Sequence, residues 1–241
     1  MNVKRLIKTA ELSLKKRLYL SKYSMSIPGT IDWLVGTEIK YGGIVTNVPR
    51  RKVSPKDPRT RQQLNSGGMV GGDRMFHHGY ARKYSEYLKA YVQSGNPVTL
   101  VEIGILEGTG LALWCDLFEN GRIIGLDIDL GHINRNMDNL KKRGAFQNNQ
   151  PELFEFDQYL DNRGSICDIL KGDSIDVCID DGAHSVDSIL TTTKSVFPHL
   201  ADRFIYFIED NKHVHEQFKA IYPDLIVDCS GELTIVSRTG A

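Results

Sequence analysis

The chain has few cysteines and no grouping of them. Cys115, Cys167, Cys178 and Cys229 are its only four, and none stands in a CxxC pair or at another metal-ligand spacing. That spacing excludes a zinc finger-like or iron–sulfur centre and makes a disulfide framework unexpected; reduced thiols in a cytoplasmic protein are the expectation. A surplus of charge of either sign is missing too. The 30 lysines and arginines balance 30 aspartates and glutamates, for a formal net charge of +0. With no global basic field and no long charge block, neither a nucleic-acid partner nor a solvating tail is expected. Long apolar runs are also absent. The opening MNVKRLIKTAELSLKKRLYLSKYSM interleaves apolar residues with lysine and arginine, so no signal peptide or membrane span is expected.

What is present is a strand, a glycine-rich turn and a second strand ending in an acid. VEIGILEGTG begins as a short apolar run carrying Glu102, turns through Gly104, Gly108 and Gly110, and continues as LALWCDLF, which reads as a helix. The next strand, IIGLDID, brings Asp127 to its carboxyl edge, where a carboxylate accepts hydrogen bonds from the ribose hydroxyls of a nucleoside lying across the first turn. The order E-x-G-x-x-x-G-x-G differs from the G-x-G-x-x-G of dinucleotide sites.

The chain divides near residue 97. An amphipathic helix over about residues 3 to 20 precedes a Gly, Pro and basic-rich stretch from Ile27 to Gly72, which reads as a long lid-like loop carrying the run Arg50, Arg51, Lys52. A helix over about His78 to Gln93 follows. From Thr99 strands and helices alternate, which predicts a doubly wound α/β fold with a mostly parallel seven-stranded sheet. DLIVDCSGELTIVSR reads as an antiparallel hairpin at its end. Two domains result, residues 1–96 as an appended helix, loop and helix, and 97–241 as the core. The apolar stripe of the first helix needs cover, in a homo-oligomer contact or in a lid.

Ligands of such sheets bind beyond the carboxyl ends of the strands, and those ends are acidic. The third strand finishes in Asp157 and Gln158, the fourth in Asp180 and Asp181 with His184 one turn later, and the fifth in Glu209, Asp210 and Asn211. Clustered carboxylates repel unless a cation sits among them, and oxygen ligands without cysteine favour a hard ion such as Mg²⁺.

The glycine-rich turn with Glu102 and Asp127 resembles the first motif of class I S-adenosylmethionine-dependent methyltransferases, which implies a Rossmann-like fold with Glu102 at the cofactor's amino acid end and Asp127 at its ribose. DDGAHS followed by FIED resembles the metal site of the Mg²⁺-dependent sugar O-methyltransferases of the macrocin and mycinamicin group, with cephalosporin hydroxylase-like relatives. The resemblance implies Asp181, Glu209 and Asp210 as metal ligands and His184 as general base. It places Asp157, Gln158 and Asp180 with the cofactor residues, although Phe156 stands where the family pattern has glycine. GGDRMFHHGYARKY is similar to a T-D-K-x-x-H-x-Y segment, so Asp73, Arg74, His78 and Tyr80 are expected to reach cofactor or substrate, with arginine in place of lysine. The resemblance covers about residues 70 to 215.

Its implied chemistry is methyl transfer to a sugar hydroxyl, on a deoxyhexose of a natural product or an oligosaccharide, with the metal and His184 making the hydroxyl nucleophilic. Two other readings compete. A catechol-type O-methyltransferase holds Mg²⁺ with Asp and Asn, as Asp210 and Asn211 permit. A noncatalytic cofactor-binding module binds S-adenosylhomocysteine without metal. Helix capping is the structural alternative for Asp180 and Asp181.

Overall fold

The computed structural model describes residues 3–43, 50–65 and 72–238. The expected alternation is observed. β1 (Thr99–Ile103), β2 (Arg122–Asp127), β3 (Glu152–Glu155), β4 (Ile175–Asp180) and β5 (Leu200–Ile208) run parallel, joined by α5 (Thr109–Leu117), α6 (Gly131–Lys142), α7 (Arg163–Leu170) and α8 (Val186–Val196). α9 (Val214–Ile221) leads to β6 (Ile226–Ser230) and β7 (Leu233–Ser237). The seven strands lie in the order β3-β2-β1-β4-β5-β7-β6. The hairpin turns at Gly231 and Glu232, and β7 enters antiparallel to β5, which leaves β6 outermost.

The central strands are continuous apolar runs because helices cover both their faces. Two apolar clusters result, one on each side of the sheet. The chain leaves β1 toward β2 and β3 and returns on the other side of β1 to form β4. The direction of winding therefore reverses between β1 and β4, and a crevice opens beyond their carboxyl ends.

The N-terminal part differs from the expectation. α1 (Val3–Tyr23) is longer than the predicted helix, and the stretch read as loop from Ile27 holds α2 (Ile31–Lys40) and the short α3 (Arg61–Asn65). Of that stretch, residues 44–49 and 66–71 lie outside the described residues. α2 is hard to read because it is buried nearly all round: Trp33, Leu34, Val35 and Ile39 are all buried in the cluster that also holds Leu100, Leu113 and Trp114 of the core. Burying such side chains contributes about 1.5–3 kcal/mol each. Its Gly36 looks like a helix breaker but serves packing, since a Cβ there would fall 2.6 Å from Cβ of Tyr23 on α1. α4 (Ala81–Ser94) follows, with Tyr84 and Leu88 in the same cluster. Among the described residues no helix is long and apolar enough to cross a membrane.

Candidate active site

The glycine-rich turn brings the ends of β1 and β4 together. Gly104 has φ 85°, and a Cβ there would fall 2.2 Å from the Asp181 carbonyl oxygen, so only glycine lets the two loops touch. Gly108, at φ 77°, stands just before α5. Gly110 sits in its first turn, where a Cβ would meet Glu102 Oε1 at 2.3 Å. Asp127, at the end of β2, accepts hydrogen bonds from the backbone N–H groups of Leu106 and Asp129, both at 3.0 Å. Burial raises its pKa.

Two cavities meet at this turn. The larger, about 540 Å³, runs from Gly104 and Asp127 along Phe156 and Asp157 to Asp181, His184 and Asp210. The smaller, about 130 Å³, lies between Glu102, Gly110 and Arg74. The larger is within the range of small-molecule and cofactor sites.

Arg74 is the electrostatic centre. Its side chain is 7% exposed and lies 2.7 Å from Glu102, 2.9 Å from Asp181 and 2.7 Å from Glu209, so one guanidinium binds the ends of β1, β4 and β5. Glu209 is turned inward and also accepts a hydrogen bond from the Tyr84 hydroxyl. Tyr84 itself stacks on Phe207 and Trp114, with ring centroids at 4.0 and 5.4 Å. Burial and the neighbouring Glu209 push the Asp181 carboxyl well above its ordinary range, against the pull of Arg74.

Asp181, His184 and Asp210 converge: one ligand atom from each lies within 4.8 Å of the other two. His184 and Asp210 both have φ 56°, a conformation that costs a non-glycine residue about 1–3 kcal/mol. Their loops are tied by Asn211, whose amide donates to the His184 carbonyl at 2.8 Å. The Asn211 Oδ1 accepts from the N–H groups of His213 and Val214 at the start of α9. The Tyr80 hydroxyl donates to Asp210 at 2.8 Å, and His78 lies 3.5 Å from both Asp73 and Asp210. The Asp73 hydrogen bond pushes His78 up to about 9, against burial. His184 Nδ1 is buried without a partner.

Of the remaining sequence-predicted residues, Asp157 and Gln158 also line the larger cavity. Gln158 is buried: its amide donates to Asp180 at 2.7 Å and Thr192 at 3.0 Å, while its oxygen accepts from Ala183 N–H at 2.7 Å. It braces β3, β4 and α8 against one another. Asp180, 1% exposed, accepts from Gln158 and from the Tyr206 hydroxyl. Neither Asp180 nor Asp181 caps α8; Ser185 does, accepting from Ser188 N–H at 3.1 Å. Asp157 faces the larger cavity and is bound by Lys56 at 2.6 Å. Lys56 belongs to a loop wall that Asp57 holds rigid by accepting from Val53 N–H at 2.9 Å, Arg59 N–H at 3.0 Å and the Arg59 guanidinium at 2.6 Å. The sequence offered no local signal for Glu38 on α2, which lines the smaller cavity, nor for the inward turn of Glu209.

No family model matches the chain. In sequence it is similar to mycinamicin VI 2''-O-methyltransferase of Micromonospora griseorubida, 29% identical over 143 residues. It is also similar to L-olivosyl-oleandolide 3-O-methyltransferase of Streptomyces antibioticus, 28% identical over 140 residues. These matches take in 56% and 55% of this chain and 32% of each relative, so the chain spans about a third of the length of the curated relatives it matches. Among solved structures it is similar to the MycE methyltransferase of the mycinamycin biosynthetic pathway, determined in complex with Mg, SAH and mycinamycin VI. That likeness has a TM-score of 0.50 at 20% identity, over 69% of this chain and 52% of that one, and bears on the fold alone. The chain has the Rossmann-like fold of the class I methyltransferases, and over a little more than half its length its sequence resembles the macrolide sugar O-methyltransferases.

Proposed function

We propose that the chain is an S-adenosylmethionine-dependent O-methyltransferase that works with a divalent cation, Mg²⁺ by its oxygen donors, on a hydroxyl of a sugar-containing acceptor. One observation carries this reading: the turn from Gly104 to Asp127 and the cluster Asp181, His184 and Asp210 line the same cavity. A nucleoside held at the first would place its reactive end at the second.

The residues fit both groups. Glu102 Oε2 is buried and unpartnered, as suits an acceptor awaiting an ammonium donor, and Asp127 keeps lone pairs for ribose hydroxyls beyond its two backbone bonds. Asp157 and Phe156 wall the adenosine end. Asp181 and Asp210 are the carboxylates that face a cation, with Glu209 behind them in the grip of Arg74. When bound, S-adenosylmethionine supplies an electrophilic methyl group and the cation supplies Lewis-acid polarisation of the hydroxyl.

The chain's own residues do the rest. Asp181 and Asp210 stand at the acceptor end of the cavity, and Arg74 holds Asp181 by a contact of 2.9 Å. His184, pinned through its carbonyl by Asn211, presents an imidazole to take the proton from the acceptor hydroxyl, an assistance worth about 10²- to 10⁴-fold. Lys56 and Asp57 line the larger cavity on the side of Asp157.

The test is calorimetry with S-adenosylhomocysteine, followed by Mg²⁺ titration of the saturated protein, in wild type and Asp181→Asn. Support is cofactor binding in both proteins with metal binding lost in the variant, followed by methyl transfer to glycosides in preference to catechols. Absence of cofactor binding in the wild type refutes the reading.

A further inference from the structure

The smaller cavity is unbalanced in charge. Five acids, Glu38, Asp73, Glu102, Glu107 and Asp181, face it, and Arg74 is the one base among the described residues that line it. Arg74 is already committed to Glu102, Asp181 and Glu209. Glu102 gives its Oε1 to that contact and keeps Oε2 buried with no partner.

Glu38 comes from α2, outside the parallel-sheet core. It is 2% exposed, and its two oxygens accept from the N–H groups of Met75 and Phe76 at 2.8 and 3.0 Å. Each carboxylate oxygen has a second lone pair, so these bonds leave acceptor capacity on both. The fold makes room for the side chain with glycine: a Cβ on Gly43 would fall 2.7 Å from Glu38 Cγ. A Cβ on Gly72 would fall 2.9 Å from Cγ2 of Thr109, in the first turn of α5, and 3.2 Å from Glu38 Cγ, so Glu38 stands close to that turn. Burial pushes its pKa up to about 7, against the two backbone hydrogen bonds.

We infer that Glu38 and Glu102 together receive the α-ammonium group of the cofactor's methionyl end, so that α2 completes the cofactor site. The inference rests on the cofactor reading above and adds a binding residue from the N-terminal part. The ammonium offers several donors and a full charge. It supplies what the cavity lacks, a mobile cation beside Arg74, and the free N–H groups of the first turn of α5 are then left for the methionyl carboxylate.

The experiment compares two ligands. S-adenosylhomocysteine carries the ammonium, whereas 5′-methylthioadenosine shares its adenosine and thioether and lacks the amino acid end. Calorimetry is run with both ligands on wild type, Glu38→Gln and Glu102→Gln. The expected result is a loss of about tenfold or more in S-adenosylhomocysteine affinity in each variant, as for a lost hydrogen bond to a charged group, with methylthioadenosine affinity unchanged. Methylthioadenosine binding also reports that the variant is folded. If Glu38→Gln leaves both affinities unchanged, or weakens both equally, Glu38 is only a backbone clamp and the inference fails. A wild type that binds neither ligand refutes the cofactor reading itself, which separates the two failures.

Discussion

Replacing Arg74 by methionine is the sharpest perturbation of the structure. Methionine roughly keeps the volume and removes the charge that three carboxylates share. Two of them, Glu102 and Glu209, have side chains only 2% exposed and cannot recover their hydration without opening the site. Removing one partner of a buried ion pair typically costs about 3–5 kcal/mol, because the other charge stays buried and uncompensated. For a chain of this size each kcal/mol lowers the melting temperature by about 2–4 °C, so Arg74→Met should melt about 6–20 °C below wild type. Urea denaturation at neutral pH checks the free energy directly, and thermal melts check the shift. Arg74→Lys is the control: it keeps the charge but reaches fewer carboxylates at once, and should fall between the two. A loss below about 1 kcal/mol for the methionine variant would mean that the three carboxylates are solvated or protonated, and would refute the account of Arg74 as the tie between β1, β4 and β5.

Further expectations follow from other contacts. His184→Ala should leave S-adenosylhomocysteine affinity intact and slow methyl transfer by about 10²-fold or more, read in single turnover on an accepted glycoside; a near wild-type rate removes it as base. Gly104→Ala should lose soluble expression or cofactor binding, because the new methyl would fall 2.2 Å from the Asp181 carbonyl; normal binding would show that the β1–β4 contact yields. The Arg59 hydrogen bond holds the Asp57 carboxyl well below the usual carboxylate range, so its contribution is complete above the unfolded pKa of about 4 and is lost as pH falls through the folded value. Limited proteolysis should therefore find residues 50–65 protected at neutral pH, and protection should be lost in Asp57→Ala; equal protection in the variant would show that other contacts hold the loop.

The succession of strands and helices and the acidic strand ends were legible because each depends on local pattern: a short apolar run, a turn, a charge where the run stops. Asp127, Asp181 and Asp210 could be placed at the crevice on that basis alone. Three features were not legible. α2 is buried on nearly all sides and carries Gly36, so it shows no amphipathic period and reads as loop. Glu209 and Asp210 are adjacent in sequence and identical as strand-end acids, yet one turns in to Arg74 and the other out to the cavity, a choice made by contacts with residues more than a hundred positions away. Gln158 lines the larger cavity as a ligand-facing polar residue would, but its bonds to Asp180, Thr192 and Ala183 had no signal in the sequence.

The same contacts explain why the site collects so much negative charge without falling apart. Glu102, Asp181 and Glu209 would repel if brought together bare, and the fold meets this with one arginine donated from the segment before the core. Arg74 neutralises one charge of three, and it is directed at the back of the site. Asp210 is held at the front by weaker means, a Tyr80 hydroxyl and the His78 ring. The arrangement leaves two deficits of positive charge, one in the smaller cavity beside Glu38 and Glu102 and one among Asp181, His184 and Asp210. An ammonium at the first and a divalent cation at the second would fill them, and the two cavities share Gly104 and Asp181 in their walls. A noncatalytic nucleotide-binding module has use for the first deficit alone, whereas the proposed methyl transfer uses both.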